Sequence, residues 1–142
     1  MNLPDKLIID TSVLIDYLRG KPGLRALTSV SEIHLPAMVL AELRVGWLRT
    51  HGTPQRQMQR FEDLAAIMFF VPILRSTVSL YIEVRQRLEM MNAIIRENDL
   101  WIAATAKERG LPLLTTDNHF RRVAGITVIV PADVEIDPQA RN

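Results

Sequence analysis

Four acidic residues stand where their types and neighbours could do chemistry: Asp10, Glu42, Asp99 and Asp117. Asp10 ends a wholly apolar run, Leu7-Ile8-Ile9, and is followed at once by Thr11 and Ser12. Asp117 follows a second such run through Thr115 and Thr116. Asp99 opens a strongly apolar stretch, Leu100-Trp101-Ile102-Ala103-Ala104-Thr105-Ala106, and Asn98 just before it can supply the helix cap, leaving Asp99 free for other work. Glu42 lies in a helical pattern whose apolar stripe is Val39, Leu43, Gly46 and Trp47; at about 100° per residue it falls about 60° from Val39, on the edge of the stripe. Each acid also has a plainer reading. Asp10 and Asp117 could be ordinary N-caps, Asp99 an acid favoured by a helix dipole, and Glu42 a solvated residue paired with a neighbouring Arg.

Taken together the four say more than each alone. Three fall at strand-to-helix or loop-to-helix junctions and the fourth on the edge of a nearby helix. Carboxylates gathered without basic partners repel one another, and a divalent cation relieves that repulsion. Hard oxygen ligands suit Mg²⁺ or Mn²⁺. The chain has no cysteine and only three histidines, with no zinc-type spacing. The chemistry that follows is metal-assisted phosphodiester hydrolysis, in which the ion activates water and offsets charge on phosphate oxygens. Asp10, Glu42 and Asp99 are expected to hold the ion, with Asp117 completing the site or supporting a second. No His is placed to serve as base, so a neighbouring carboxylate is expected to take the water's proton.

The elements that must position these acids can be read from periodicity and breakers. Strands are expected over Lys6–Asp10, Ile33–Pro36, Phe69–Ile73, Leu113–Thr115 and Ile126–Val130. Helices are expected over Val13–Arg19 (capped by Thr11 or Ser12), Pro22–Val30, Met38–Thr50, Gln55–Ile67, Ser76–Met91, Asp99–Arg109 and, briefly, Asn118–Val123. Strands alternating with helices predict an α/β fold with a parallel sheet covered on both faces. In such sheets ligands bind beyond the carboxyl ends of the strands, near the switch in strand order. The tail from Ala132 is polar and expected to be loose.

The bulk numbers agree with one domain spanning residues 1–142. Hydrophobic residues make up 48%, enough for a core, and the absence of cysteine suits a reducing cytoplasm. The N-terminus does not read as a signal peptide, and no run approaches the roughly 20 apolar residues of a membrane span. Net charge is +1, yet 14 of the 17 basic residues are Arg, a residue that grips phosphate bidentately. If the four acids are gathered in one site, 17 basic and 12 acidic residues remain elsewhere, a surplus of five. Arg44, Arg49, Arg121 and Arg122 are the candidates for contacts to the phosphates of a nucleic acid, each with ordinary solvation as the alternative.

The motifs resemble those of PIN-domain nucleases, and within them the VapC toxins of bacterial toxin–antitoxin pairs. The matching stretches are Leu7 to Asp16, Ala41-Glu42-Leu43-Arg44-Val45-Gly46, Asn98 to Ala106, and Leu114 to Ile126, in an order and spacing that cover nearly the whole chain. The resemblance implies an α/β/α sandwich, PIN-like, with a central parallel sheet of four or five strands. It implies Mg²⁺- or Mn²⁺-dependent endoribonuclease activity on transfer, ribosomal or messenger RNA, homodimerisation, and inhibition by a VapB-type antitoxin. The family's acidic positions fall on Asp10, Glu42, Asp99 and Asp117. Its first-strand hydroxyl falls on Thr11 or Ser12 and its hydroxyl before the last acid on Thr115, while Asn98 reads as a residue that supports the ligands. Two places depart from the pattern. A Gly-x-Pro-Ile run before the third acid is replaced by Asn92-Ala93-Ile94-Ile95, so the loop entering Asp99 is expected to differ. Position 117, often Asn in the family, is Asp here.

Some residues invite chemistry and have simpler readings. Asp16 is expected to face solvent, His119 to be a surface histidine, and Trp47, Phe61 and Trp101 to serve core or dimer packing. Val39, Leu43, Trp47, Met58, Phe61 and Leu64 form more apolar surface than one side of a sheet requires, so a groove for an antitoxin helix is expected across Met38–Ile67, a hairpin broken at His51–Pro54. An antitoxin cation is expected to reach the four acids. A Mg²⁺-dependent phosphoacceptor or phosphatase-like domain would need an Asp-x-Asp or a late strand-end Lys, and the chain has neither. A catalytically silent module of the same fold remains the other alternative.

Overall fold

A computed structural model describes residues 2–21, 24–50 and 55–133. Five strands form one sheet: β1 (Lys6–Ile9), β2 (Glu32–Pro36), β3 (Phe69–Val71), β4 (Leu113–Leu114) and β5 (Val128–Ile129). Every pairing is parallel, and the strand order is β3-β2-β1-β4-β5. The reason lies in the sequence of β1. Leu7, Ile8 and Ile9 point alternately to opposite faces, and all three are fully buried, so both faces of the sheet are covered. The α/β expectation and the five-strand count hold.

Five α-helices surround the sheet among the described residues: α1 (Thr11–Leu18), α2 (Ala37–Arg49), α3 (Gln55–Ile67), α4 (Arg75–Met90) and α5 (Glu97–Arg109). One core unites them: Val13 and Leu14 of α1, Val39 and Leu43 of α2, Phe61 of α3, Val84 and Leu88 of α4, and Leu100, Ile102 and Ala103 of α5. Trp47 meets Phe61 edge-on at 4.6 Å and Trp101 stacks on Tyr81 at 4.0 Å, so these aromatics pack rather than present themselves to a base.

Several expectations need correction. Asp10, not Thr11 or Ser12, caps α1 by accepting a hydrogen bond from Thr11 N, because its backbone is extended where the helix begins. Helix α5 starts at Glu97, so Asn98 lies inside its first turn and is not the cap; Arg96 holds the cap position without a side-chain cap bond. The segments expected as short helices, Pro22–Val30 and Asn118–Val123, are 3₁₀ turns over Leu24–Ser29 and Asn118–Arg122, residues 22 and 23 lying outside the described residues. The polar tail begins with a 3₁₀ turn, Pro131–Asp133, and its remainder lies outside the described residues, as does the expected break at His51–Pro54. Asp16 is not merely solvated: it pairs with Lys21 at 2.9 Å. Of the residues named for the antitoxin groove, Val39, Leu43 and Phe61 are core and Trp47 leans on Phe61, which leaves Met58 exposed and Leu64 half-buried.

Candidate active site

The order β3-β2-β1-β4-β5 puts the topological switch between β1 and β4, where the chain turns outward in opposite directions. Asp10 follows β1 and Thr115 to Asp117 follow β4, so the crevice of the sheet opens between them. Ile8 pairs with Leu113 and Ile9 with Leu114, and the register carries on as Asp10 N donates to Leu114 O at 3.0 Å. Neighbouring registers thus bring residues about a hundred positions apart into one cluster.

Asp10 is 5% exposed and both its oxygens are engaged. Oδ1 accepts from Thr11 N at 2.8 Å, while Oδ2 accepts from Thr115 Oγ1 at 2.7 Å and Ser12 Oγ at 3.2 Å. The cap and the site therefore coexist, one oxygen for each. Burial pushes its carboxyl above the ordinary carboxylate range; the bonds from Thr115, Thr11 and Ser12 pull it back, and the charge of Asp99 adds to the rise. Thr115 is fully buried and works in both directions, since its Oγ1 also accepts from Asp117 N at 3.0 Å. Ser12 Oγ accepts from Thr116 N at 3.2 Å, tying the start of α1 to the end of β4. Asp117 caps the turn that follows, accepting from His119 N at 2.8 Å, and His119 Nδ1 lies 3.2 Å from the same oxygen while the rest of its ring is exposed.

Glu42 comes from α2, and Thr11 Oγ1 donates to its Oε2 at 2.6 Å. Asp99 comes from the first turn of α5 and is 3% exposed. Burial raises its carboxyl, Arg96 lowers it, and the charges of Asp117 and Glu42 raise it. Thr115 bonds both Asp10 and Asp117, and Thr11 bonds both Asp10 and Glu42, while the charge of Asp99 is felt at Asp10 and those of Asp117 and Glu42 are felt at Asp99. One assumption about the cluster is wrong. It does have a basic partner: Arg96 Nε lies 3.0 Å from Asp99 Oδ2. The i,i+3 spacing of Arg96 and Asp99 was the available signal.

The remaining named residues scatter. Asn98 forms no hydrogen bond with the four acids; it lines a recess of about 330 Å³ with Met38, Ala41, Glu42, Val45, Gly46 and Arg49. Arg44 is committed to Glu62 of α3 through two bonds of 3.0 Å, joining α2 to α3. Arg121 donates to Asn118 Oδ1 at 3.1 Å, and Arg122 is exposed beside it.

The donor set suits a hard divalent cation. Two carboxylates are raised by burial and by like charge, which a cation would relieve. Among the described residues no three acidic or histidine side chains close around one point. Mg²⁺ does not need that, since it usually keeps several waters and takes one or two carboxylates.

The PIN domain family matches residues 7–126. The chain belongs to the PIN domain family. Within it, the chain is 34% identical over 120 residues to ribonuclease VapC5 of Mycobacterium tuberculosis, covering 83% of this chain and 87% of that protein. The crystal structure of VapBC-5 from the same organism, described as a toxin–antitoxin system, matches with a TM-score of 0.67 and 31% identity, over 89% of this chain and 98% of that one. DNA-bound VapBC from Salmonella typhimurium matches with a TM-score of 0.80 over 89% and 98% of the two chains; at 22% identity it speaks for the fold. This PIN domain is therefore of the VapC type, and its α/β/α architecture is that of the family. No described helix is long and apolar enough to cross a membrane.

Proposed function

We infer that the protein is the toxin of a type II toxin–antitoxin pair, an endoribonuclease that hydrolyses RNA phosphodiester bonds with Mg²⁺ or Mn²⁺. The observation that carries this reading is the buried Asp10, braced by Thr115 and Ser12 at the sheet's switch point, with Asp117 bonded to the same Thr115 and Glu42 to the adjacent Thr11. The ribonuclease names of the relatives support it. Asp10, Glu42 and Asp99 would hold the ion, directly or through water, and Asp117 would complete the site. When bound, the ion supplies an activated water and offsets charge on the phosphate. The chain's own residues do the rest. Thr11, Ser12 and Thr115 aim the carboxylate lone pairs by donating to Glu42 and Asp10. Whichever of these carboxylates reaches the ion only through water would be free to take the attacking water's proton. Arg49, on the wall of the recess beside Glu42, and the exposed Arg122 would meet RNA phosphates.

The reading includes two protein partners and places the enzyme in the cytoplasm with its RNA. A VapB-type antitoxin helix has a surface in the stripe Ala41, Val45 and Leu48 of α2, the last 81% exposed, which borders the recess. A second copy has one in Leu74, Val78 and Ile82, spaced by four along α4 and its cap, all exposed. The deciding experiment is digestion of total bacterial RNA by the purified protein with Mg²⁺, with Mn²⁺, with EDTA, and by Asp10→Asn. Discrete fragments that require metal and fall at least about a hundredfold in the variant are expected. Full activity in EDTA or in Asp10→Asn would overturn the assignment.

A further inference from the structure

Two of the principal acids are held by neutral donors and one by a cation. Hydroxyls and a backbone amide bind Asp10, and the Thr11 hydroxyl binds Glu42. Asp99 instead faces Arg96, with Nε at 3.0 Å from one carboxylate oxygen and Nη2 at 3.5 Å from the other. The difference matters for what else the site can hold. A hydroxyl can keep one lone pair of a carboxylate while an ion takes another. A guanidinium fork covers both oxygens and repels a second positive charge.

The placement of Arg96 suits a group that leaves. Asp99 is almost wholly buried, whereas the Arg96 side chain is 78% exposed, so the guanidinium lies over the acid from the solvent side. Arg96 occupies the cap position of α5 with extended backbone, so its side chain can swing without disturbing the helical hydrogen bonds. Its charge also reaches Glu42 and Asp117, the acids across the edge. A released arginine is fully solvated, and the incoming ion takes its place on the buried carboxylate, so Asp99 is not left as an unpaired buried charge. We propose that Arg96 is the site's resident cation: it occupies Asp99 while no divalent ion is bound and is displaced when one binds.

This rests on the metal-dependent reading above, and the test separates the two. Arginine Nε–Hε spectra of ¹⁵N-labelled protein are recorded during a Mg²⁺ titration, with the Arg96 signal identified by its loss in Arg96→Lys. That signal is expected to move toward the position of a solvated arginine as Mg²⁺ saturates, while the signal of Arg85, paired with Glu89 and Glu97, stays in place. In parallel, Mn²⁺ is titrated calorimetrically into wild type, Arg96→Ala and Arg49→Ala. Arg96→Ala should bind about fivefold more tightly than wild type. Arg49→Ala removes a charge from the same rim without touching Asp99, and should gain less than about twofold. An Arg96 signal that stays fixed at saturating Mg²⁺ overturns the proposal even if Arg96→Ala is unstable. An equal gain in the two alanine variants overturns it as well, since only general charge would then be at work. If wild type binds neither ion, the metal-dependent reading itself falls and the proposal falls with it.

Discussion

Thr115 shows how much a single hydroxyl can carry. It is fully buried, donates to Asp10 Oδ2 at 2.7 Å and accepts from Asp117 N at 3.0 Å, so one oxygen aligns two of the four acids. Thr115→Val keeps the shape and removes both bonds. It should cost roughly 1–3 kcal/mol in urea unfolding, since a buried charge loses its best donor. Cleavage of RNA should fall roughly tenfold, as for loss of a group that orients a metal ligand. Asp10→Asn should behave differently. It removes a charge whose ionisation burial disfavours and leaves a good capping residue, but its amide nitrogen cannot accept from Thr115 and Ser12 as Oδ2 does, so the metal-free protein should lose no more than about 1 kcal/mol while its cleavage is lost. A large drop in melting temperature for Asp10→Asn would show that the carboxylate is structural.

Helix α2 brings Glu42 to the sheet edge and forms the wall of the recess, and Gly46 sits in that wall. A methyl added there meets nothing within 4 Å, and the position is helical, so Gly46→Ala should stabilise the protein by about 1 kcal/mol. The same methyl narrows the space beside Glu42 and Arg49, so cleavage should slow at unchanged metal affinity. Gly110 is the counter-case. It ends α5 at φ +62°, and although a methyl there is equally free of contacts, Gly110→Ala should destabilise by roughly 1–2 kcal/mol through backbone strain alone. Chemical denaturation of both variants distinguishes a glycine kept for its space from one kept for its backbone.

Stability as a function of pH follows from the acids of the site acting together. Asp10 and Asp99 both titrate above their ordinary value of 3.8 in the folded protein. Their protonated forms favour folding, a contribution fully present below that value and lost as pH rises through the raised ones. A divalent ion reverses this, because it binds the ionised carboxylates. Thermal melts in EDTA should therefore lose stability from these groups above pH 4, and added Mg²⁺ should restore it near pH 7 but not near pH 4. Equal Mg²⁺ stabilisation at both pH values would point to an ion bound elsewhere.

The local patterns carried a good deal. Leu7-Ile8-Ile9 can only be a strand buried on both faces, which requires helices on both sides and puts Asp10 at the carboxyl edge. Leu113 and Leu114 place Asp117 likewise, and the helical phase of α2 puts Glu42 near them. These inferences hold because apolar periodicity and strand ends are properties of short stretches. What the tertiary structure decided are the partners across long sequence gaps and the edges of elements. The pairing of β1 with β4 turned two ordinary caps into one cluster, and no local rule chooses a neighbour about a hundred residues away. Arg44 found Glu62 because α3 folds back beside α2. Asn98 lost the cap because α5 begins two residues earlier, at Glu97, whose carboxylate accepts from Tyr81 and Arg85 of α4. Arg96 thereby came to stand over Asp99, since a charge seeks the buried opposite charge within its reach, and reach is set by the folded backbone.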